Sequence, residues 1–309
     1  MPPAISVIVA AYNASPTIAE TIESVLAQTF SDLELIIVDD GSTDETRNVV
    51  SEYERKDSRV KYTWQHNSGA SAARNRGLAI ATGKYISLID ADDLWDKHKL
   101  EKQFSAIDSA QDTIVLTGIR RFHVVDGKKT WGTVTMPPCI ENDRHDMRSI
   151  LLLSSFQMVL INTALIEKDL IEKLGGWKVG MWTAEDWEFW IRASRTARFE
   201  VIQEPLSFYR KHQGSVTRSQ DLLKVLDEHE KIIRAQLHQG LITKKEFEQT
   251  LICRQIESCG FFIYQGELAK ALYVLSKSLG LIQSWKNRGV WTRGAEILRL
   301  AFRTLSTGK

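Results

Sequence analysis

The sequence has little cysteine, no glycine-rich loop and no long apolar run, and each shortage excludes a class of protein. Cys139, Cys253 and Cys259 are too few and too irregularly spaced for a disulfide framework or a zinc site, which fits a reduced, cytosolic setting. No basic stretch followed by a long apolar one opens the chain, so no signal peptide is expected. The most apolar window, 149–166, is broken by Ser154, Ser155, Gln157 and Asn162 and makes a poor membrane span. Ile5–Ala14 contains no glycine and no G-x-G-x-x-G follows a strand, which disfavours nucleotidyltransferases and Rossmann dehydrogenases. A net charge of +1 argues against binding nucleic acid through a whole-surface positive field.

That small net charge hides an asymmetry. From Lys270 to Lys309 there are eight Lys and Arg against one acid, Glu296, so this tail carries +7 and the remainder about −6. With 43% hydrophobic residues over 309 positions, the chain can bury one large core or two ordinary ones.

The first hundred residues alternate strand and helix signals, as a mostly parallel α/β sheet requires. Ile5–Ala11 and Leu33–Val38 are continuous apolar runs of buried-strand length. Arg59–Gln65 and Lys84–Ile89 follow as further strands. Between them lie helical patterns through Ile18, Ile22, Val25 and Leu26, a capping box at Ser42–Glu45, and a small-residue helix at Ala70–Ala81. Thr113–Val125 and Lys128–Thr135 read as a hairpin turning at Asp126-Gly127. Thr183–Arg195 reads as a helix and Phe199–Tyr209 as a returning strand. Beyond Asp221 only helical periods remain, interrupted near Gly240, Gly260 and Gly280. A boundary therefore falls near 215–220, giving domains 1–218 and 219–309.

Two early strands end in aspartates, and ligands bind beyond the carboxyl ends of such strands. Crowded carboxylates repel unless a cation or hydrogen-bond donors share the space. Asp90 and Asp92 stand two apart at a strand end and face one way. Such a pair suits Mg²⁺ or Mn²⁺, which share oxygen ligands with substrate phosphates. The alternative is helix capping, which suits Asp93 better than its neighbours.

Six motifs in order resemble the family 2 glycosyltransferases of GT-A fold. They are Ser6–Asn13, Val38–Asp44, Ala73-Arg74-Asn75-x-Gly77, Leu88–Asp93, Ala184–Trp187 and Tyr209-Arg210-x-His212-x-x-Ser215-x-Thr217. The resemblance covers about the first 218 residues. It implies an inverting enzyme that moves sugar from a nucleotide-diphosphate donor, by family habit a UDP-sugar, to a carbohydrate or lipid-linked acceptor hydroxyl. It also implies a role in cell-surface polysaccharide, glycolipid or glycoprotein synthesis.

Carried over position by position, Ala10, Tyr12, Asp40, Asn67, Arg74, Asp90, Asp92 and Trp182 are the expected donor-binding residues. Tyr12 would pack on the base and Asp40 accept from it, while Asp39 supports the turn. Ala10-Ala11 replaces hydroxyl-bearing residues of many relatives, so a contact to the nucleotide is lost there. Arg74 would hold the nucleotide side of the cleft, the alternative being a solvated helix arginine. Asp92, with Asp90 and His212, would hold Mn²⁺ or Mg²⁺, Asp90 standing nearer the ribose or one step back from the ion. Asp186, with Glu185 beside it, would be the base that deprotonates the acceptor, or else an N3 residue after a Thr183 cap. Trp187 and Trp190 are spaced for packing, and Trp182 is the tryptophan placed near substrate.

The C-terminal stretch 257–281 reads as a helical hairpin. The last residues mix basic side chains with Trp285, Trp291, Leu298 and Phe302. That pattern suits peripheral contact with anionic lipid, and equally packing on the catalytic domain or on another subunit of a homo-oligomer. The expected place is the cytoplasm, at the inner face of the membrane. The rivals to transfer are an inactive sugar-nucleotide-binding scaffold and a nucleotidyltransferase on a related fold. A phosphoreceiver would leave Asp186 unexplained.

Overall fold

Strands β1 (Ile5–Ala11) and β2 (Leu33–Asp39) carry almost nothing but apolar residues because both faces of each are covered. The computed structural model describes residues 2–107, 112–137, 147, 151–152, 159–181, 183–212, 221–264 and 266–282. Two more parallel strands flank this pair, β3 (Val60–Trp64) beside β2 and β4 (Tyr85–Asp90) beside β1. The register sets Ala10 between Val38 and Asp90, and Ala11 beside Asp39. The acid-rich ends of β2 and β4 therefore lie along one rim.

Past β4 the sheet becomes mixed. Strands β5 (Leu94–Trp95), β6 (Thr113–Val125), β7 (Lys128–Thr135), β8 (Ala164–Glu167) and β9 (Arg198–Arg210) complete the order β3-β2-β1-β4-β8-β6-β9-β5, with β7 paired to β6. The β6–β7 hairpin turns where expected, Asp126 and Gly127 both taking the left-handed backbone of a twist-matched turn.

Helix α1 (Ile18–Leu26) buries Ile18, Ile22 and Val25 against Val7, Val9, Leu35 and Ile37. Each such side chain contributes roughly 1.5–3 kcal/mol by leaving water. Helix α3 (Ala70–Ile80) lies close on the opposite face, as its small residues predict. A Cβ added at Gly77 would come within 2.4 Å of Ile8 Cγ2, so only glycine permits that approach. Helices α2 (Thr46–Lys56), α4 (Lys99–Ser105), α5 (Lys168–Lys173) and α6 (Glu185–Ala193) complete the layers.

At the end of the sheet away from the acid rim, Glu34 is buried under donors. Ser6 Oγ, the Thr82 N–H and the Thr82 hydroxyl donate to Oε1, and Lys61 Nζ to Oε2. Burial pushes this carboxyl up, but the four hydrogen bonds outweigh it and hold it down at about 2.

Several expected boundaries move, each for a local reason. The capping box at Ser42–Glu45 does not form. Asp44 instead accepts from the Thr46 N–H and hydroxyl and from the Ser15 N–H, and α2 begins at Thr46. Helix α6 begins at Glu185 rather than Thr183, because Ala184 takes a left-handed φ of 60°.

The chain divides into two compact units. The first holds 1–148 and 156–215, and the second holds 149–155 and 216–309. In the second, helices α7 (Leu222–His238), α8 (Lys244–Tyr264) and α9 (Leu268–Ile282) bury Leu226, Cys259, Phe262, Ala271 and Val274 together. Thr243 and Glu246 form a reciprocal cap at the start of α8. Helix α8 runs through the expected break at Gly260, and the chain turns instead at Gly266, whose φ is +76°. Gly280 likewise lies within α9. Among the described residues no helix is long and apolar enough to cross a membrane. The expected boundary at 215–220, Cys139 and the basic stretch 283–309 lie outside the described residues.

Candidate functional site

The turn that follows β4 is held by its main chain. The Asp93 N–H closes it onto the Asp90 carbonyl at 3.1 Å. The Thr17 hydroxyl donates to the Ala91 carbonyl at 2.9 Å, and the Thr21 hydroxyl lies within 3.0 Å of the carbonyls of Ala91 and Asp93. Arg210 Nε donates to the Asp92 carbonyl at 2.7 Å. All four carbonyls from Asp90 to Asp93 are thereby engaged, and the carboxylates of Asp90 and Asp92 remain partly exposed.

Asp93 points the other way and is fully buried. Its carboxylate accepts from the Arg210 N–H and from Asn162 Nδ2. Burial first, then the charges of Asp92 and Asp90, push its carboxyl well above the ordinary range. Its expected capping role is absent, since α4 starts at Lys99.

Arg74 of α3 is 5% exposed, so the solvated-arginine alternative does not hold. Its Nη1 lies 2.9 Å from Glu185 Oε1 and 2.9 Å from Asp186 Oδ1, and its Nη2 lies 3.2 Å from Asp90 Oδ1. One guanidinium thus gathers three carboxylates from β4 and α6, which explains how acids this crowded coexist. The balance at Asp186 is fine. Burial pushes it up, Arg74 pulls it down, Glu185 and Asp90 push it up again, and the result is about 7. Asp90 is also raised, by burial and then by Asp92 and Glu185 against the pull of Arg74.

The segment ahead of α6 is tethered to the same helix. Asn75 Nδ2 donates to the Trp177 carbonyl and Asn75 Oδ1 accepts the Trp177 N–H, at 2.7 and 2.9 Å. Trp177 stacks on Phe189, their ring centres 4.9 Å apart. Arg192 donates to the carbonyls of Leu174 and Gly176. Trp187 and Trp190 are buried, as their spacing predicts. Trp182 lies outside the described residues, as do Ser215 and Thr217.

Asp92 Oδ2 stands 2.8 Å from His212 Nε2, joining the β4 turn to the chain just beyond β9. Both side chains are about one-third exposed or more. Among the described residues no three His, Cys, Asp or Glu side chains are arranged so that they alone could hold a metal ion. A carboxylate beside an imidazole on an open rim still fits a divalent ion that shares its coordination with phosphate and water. Asp90, counted with them from the sequence, is turned toward Arg74 instead.

At the neighbouring strand end, Asp39 supports the turn as expected. It accepts the Ser42 N–H and the Tyr62 hydroxyl. Asp40 is 4% exposed and draws the β3–α3 loop inward, accepting from Gln65 Nε2 and from the N–H groups of Ser68 and Gly69. Asn67 sits in that loop, its N–H close against Gly41, whose φ is +81°. Asn13 Oδ1 accepts from Thr43, and Tyr12, 53% exposed, stands beside it on the rim past Ala10.

Thr17, Thr21, Asn75 and Arg210 carry weight in the site that no local sequence pattern assigns them. The threonines leave only a general signal, since two hydroxyls four apart on an apolar helix face need buried acceptors.

Residues 6–175 match the sequence profile described as Glycosyl transferase family 2. EpsJ of Bacillus subtilis, an uncharacterized glycosyltransferase, is 31% identical over 268 residues, which cover 82% of this chain and 76% of EpsJ. Against two other curated relatives the chain spans less than two thirds of their length, 65% and 40%. The crystal structure of S. aureus TarS residues 1–349 with UDP-GlcNAc is similar at a TM-score of 0.67 and 21% identity, covering 100% of this chain and 93% of that one. The mannosyltransferase PcManGT of Pyrobaculum calidifontis, solved with GDP-Man and Mn²⁺, is similar at a TM-score of 0.59 and 17% identity, covering 100% and 89%. The architecture shared with TarS is the GT-A fold.

Proposed function

The chain belongs to glycosyl transferase family 2, and from that footing we propose that it transfers a sugar from a nucleoside-diphosphate donor to an acceptor hydroxyl with inversion. The observation that carries this reading is Asp186, a carboxylate poised at about 7 beside Arg74, on the sheet rim that also bears Asp92 and His212. A base matched to neutral pH is what deprotonation of a sugar hydroxyl needs.

In this reading the acceptor oxygen attacks the anomeric carbon from the side facing Asp186 and passes its proton to that carboxylate. The bond to the nucleoside diphosphate breaks, and the departing diphosphate carries away the electron pair. Asp92 and His212 would hold Mn²⁺ or Mg²⁺, which would supply neutralisation of charge on that leaving group. Arg74 keeps Asp186 and Glu185 in place, and Asp90 ties this group to the turn. Asp40 shapes the nucleotide end by fixing the loop of Asn67, and Tyr12 offers its exposed ring to the base.

TarS was solved with a UDP-sugar and PcManGT with a GDP-sugar, so the neighbours support a nucleotide-sugar donor without choosing its base. By family resemblance the acceptor is a carbohydrate or a lipid-linked glycan met at a membrane surface. The 1–218 segment would act as the transferase domain. The surviving set of Asp92, Asp186 and Arg74 favours an active enzyme over a scaffold.

The test is a thermal-shift screen with UDP-glucose, UDP-GlcNAc and GDP-mannose, with and without Mn²⁺, since a ligand bound only by the folded state raises its melting temperature. A rise with at least one donor, larger with Mn²⁺, is expected. No rise with any of them would overturn the reading.

A further inference from the structure

We infer that Arg210 is a positioning residue that sets the reach between Asp92 and His212. The inference rests on the reading that this pair holds a divalent ion. Arg210 is 6% exposed at the end of β9, two residues before His212. It grips the β4 turn twice. Its N–H donates to Asp93 Oδ1 at 2.9 Å, and its Nε donates to the Asp92 carbonyl at 2.7 Å. The same residue therefore carries the strand end that bears His212 and holds the main chain that bears Asp92.

The grip is anchored on its far side. Arg210 Nη2 lies 3.1 Å from Glu20 of α1, and the guanidinium carbon sits 4.8 Å over the Phe122 ring of β6. Lys129 of β7 holds Glu20 from the other side at 2.8 Å. Asn162 fixes the second oxygen of Asp93. The planar guanidinium donates to the Asp92 carbonyl through Nε while Nη2 stands in ion-pair contact with Glu20, a rigid placement that a lysine ammonium on a flexible stem does not reproduce. If Arg210 only filled space, its contacts would be with side chains. Instead, one of its bonds ends on the main-chain carbonyl of a proposed ion ligand. Groups that orient a ligand from behind in this way typically change metal affinity 10–100-fold when lost.

The experiment is calorimetry of UDP binding to the full chain with and without Mn²⁺, together with direct Mn²⁺ binding followed by electron paramagnetic resonance. In Arg210→Lys and Arg210→Gln, Mn²⁺ affinity and the Mn²⁺-dependent gain in UDP affinity should fall roughly 10–100-fold, with metal-free UDP affinity unchanged. Parental Mn²⁺ affinity in these variants would overturn the inference, as would an equal loss of metal-free UDP binding. Should the Arg210 variants fail to fold, Glu20→Gln is the second variant. It removes the charge that anchors the Arg210 guanidinium, so parental Mn²⁺ affinity there would overturn the inference. A parent that binds UDP with no response to Mn²⁺ would remove the ion site and this inference with it. A parent that binds neither would overturn the transferase reading as well.

Discussion

Arg74 Nη1 lies 2.9 Å from Asp186 Oδ1, and this contact keeps the proposed base in two minds about its proton. Without the guanidinium, burial and the neighbouring acids would keep Asp186 protonated. With a solvated carboxylate in its place, the base would be too weak. The pairing sets the ionisation of the one group whose chemistry the transfer most needs.

Asp186→Asn should leave nucleotide affinity intact while transfer falls by roughly 10²–10⁴, the usual contribution of a general base. Turnover of the variant against its UDP affinity checks this, and near-parental turnover would remove Asp186 from the role.

The pH profile should show the same group. A base acts when deprotonated, so kcat/KM should rise with pH and level off above an apparent pKa of about 7. Because the folded value lies above the ordinary 3.8, the same group favours folding below that value and loses the effect as pH climbs through about 7. A profile flat from pH 5.5 to 8.5 would contradict the assignment.

Arg74→Gln removes the buried cation from three carboxylates that are partly out of water. Breaking a fully buried pair costs about 3–5 kcal/mol, and the partial exposure of these acids lowers the expected loss to about 2–3 kcal/mol. The loss should be larger at pH 8 than at pH 5.5, where protonation relieves the acids. Melting temperatures of parent and variant at both pH values would show it.

Asp92→Ala should abolish the increase in UDP affinity that Mn²⁺ produces and leave metal-free binding as it was. Isothermal titration with and without Mn²⁺ decides the matter, and a persisting Mn²⁺ effect would move the ion elsewhere.

Glu34→Gln tests the opposite end of the sheet. Its carboxyl is held at about 2 against an ordinary 4.5, so its contribution is complete above 4.5 and drains away as pH falls toward 2. After allowance for solvent screening the variant should be less stable by on the order of 2 kcal/mol at pH 7. The gap should close in acid. Urea denaturation at several pH values measures it.

Much of this was readable from residue order. Apolar runs without alternation marked β1 and β2 as doubly covered strands, and Asp126-Gly127 marked its hairpin, because those signals depend only on neighbours. The rim acids were legible too, since a pair at a strand end is a local pattern. Partnerships across the fold were not. Arg74 lies 111 and 112 residues from Glu185 and Asp186, and Arg210 lies 118 from the Asp92 carbonyl. The capping rule failed at Ser42–Glu45 because Asp44 found Ser15, 29 residues away, yet it operates at Thr243–Glu246.

The clamped turn after β4 has a consequence for how this protein can change. Its path is dictated by carbonyls bonded to Thr17, Thr21, Arg210 and Asp93, none of which asks what side chain stands at 92. Position 90 is tied to the buried Arg74, but position 92 works like a socket in a rigid frame. New chemistry can be plugged in there without redrawing the chain, and descendants of this scaffold are free to explore other ions or none while still folding.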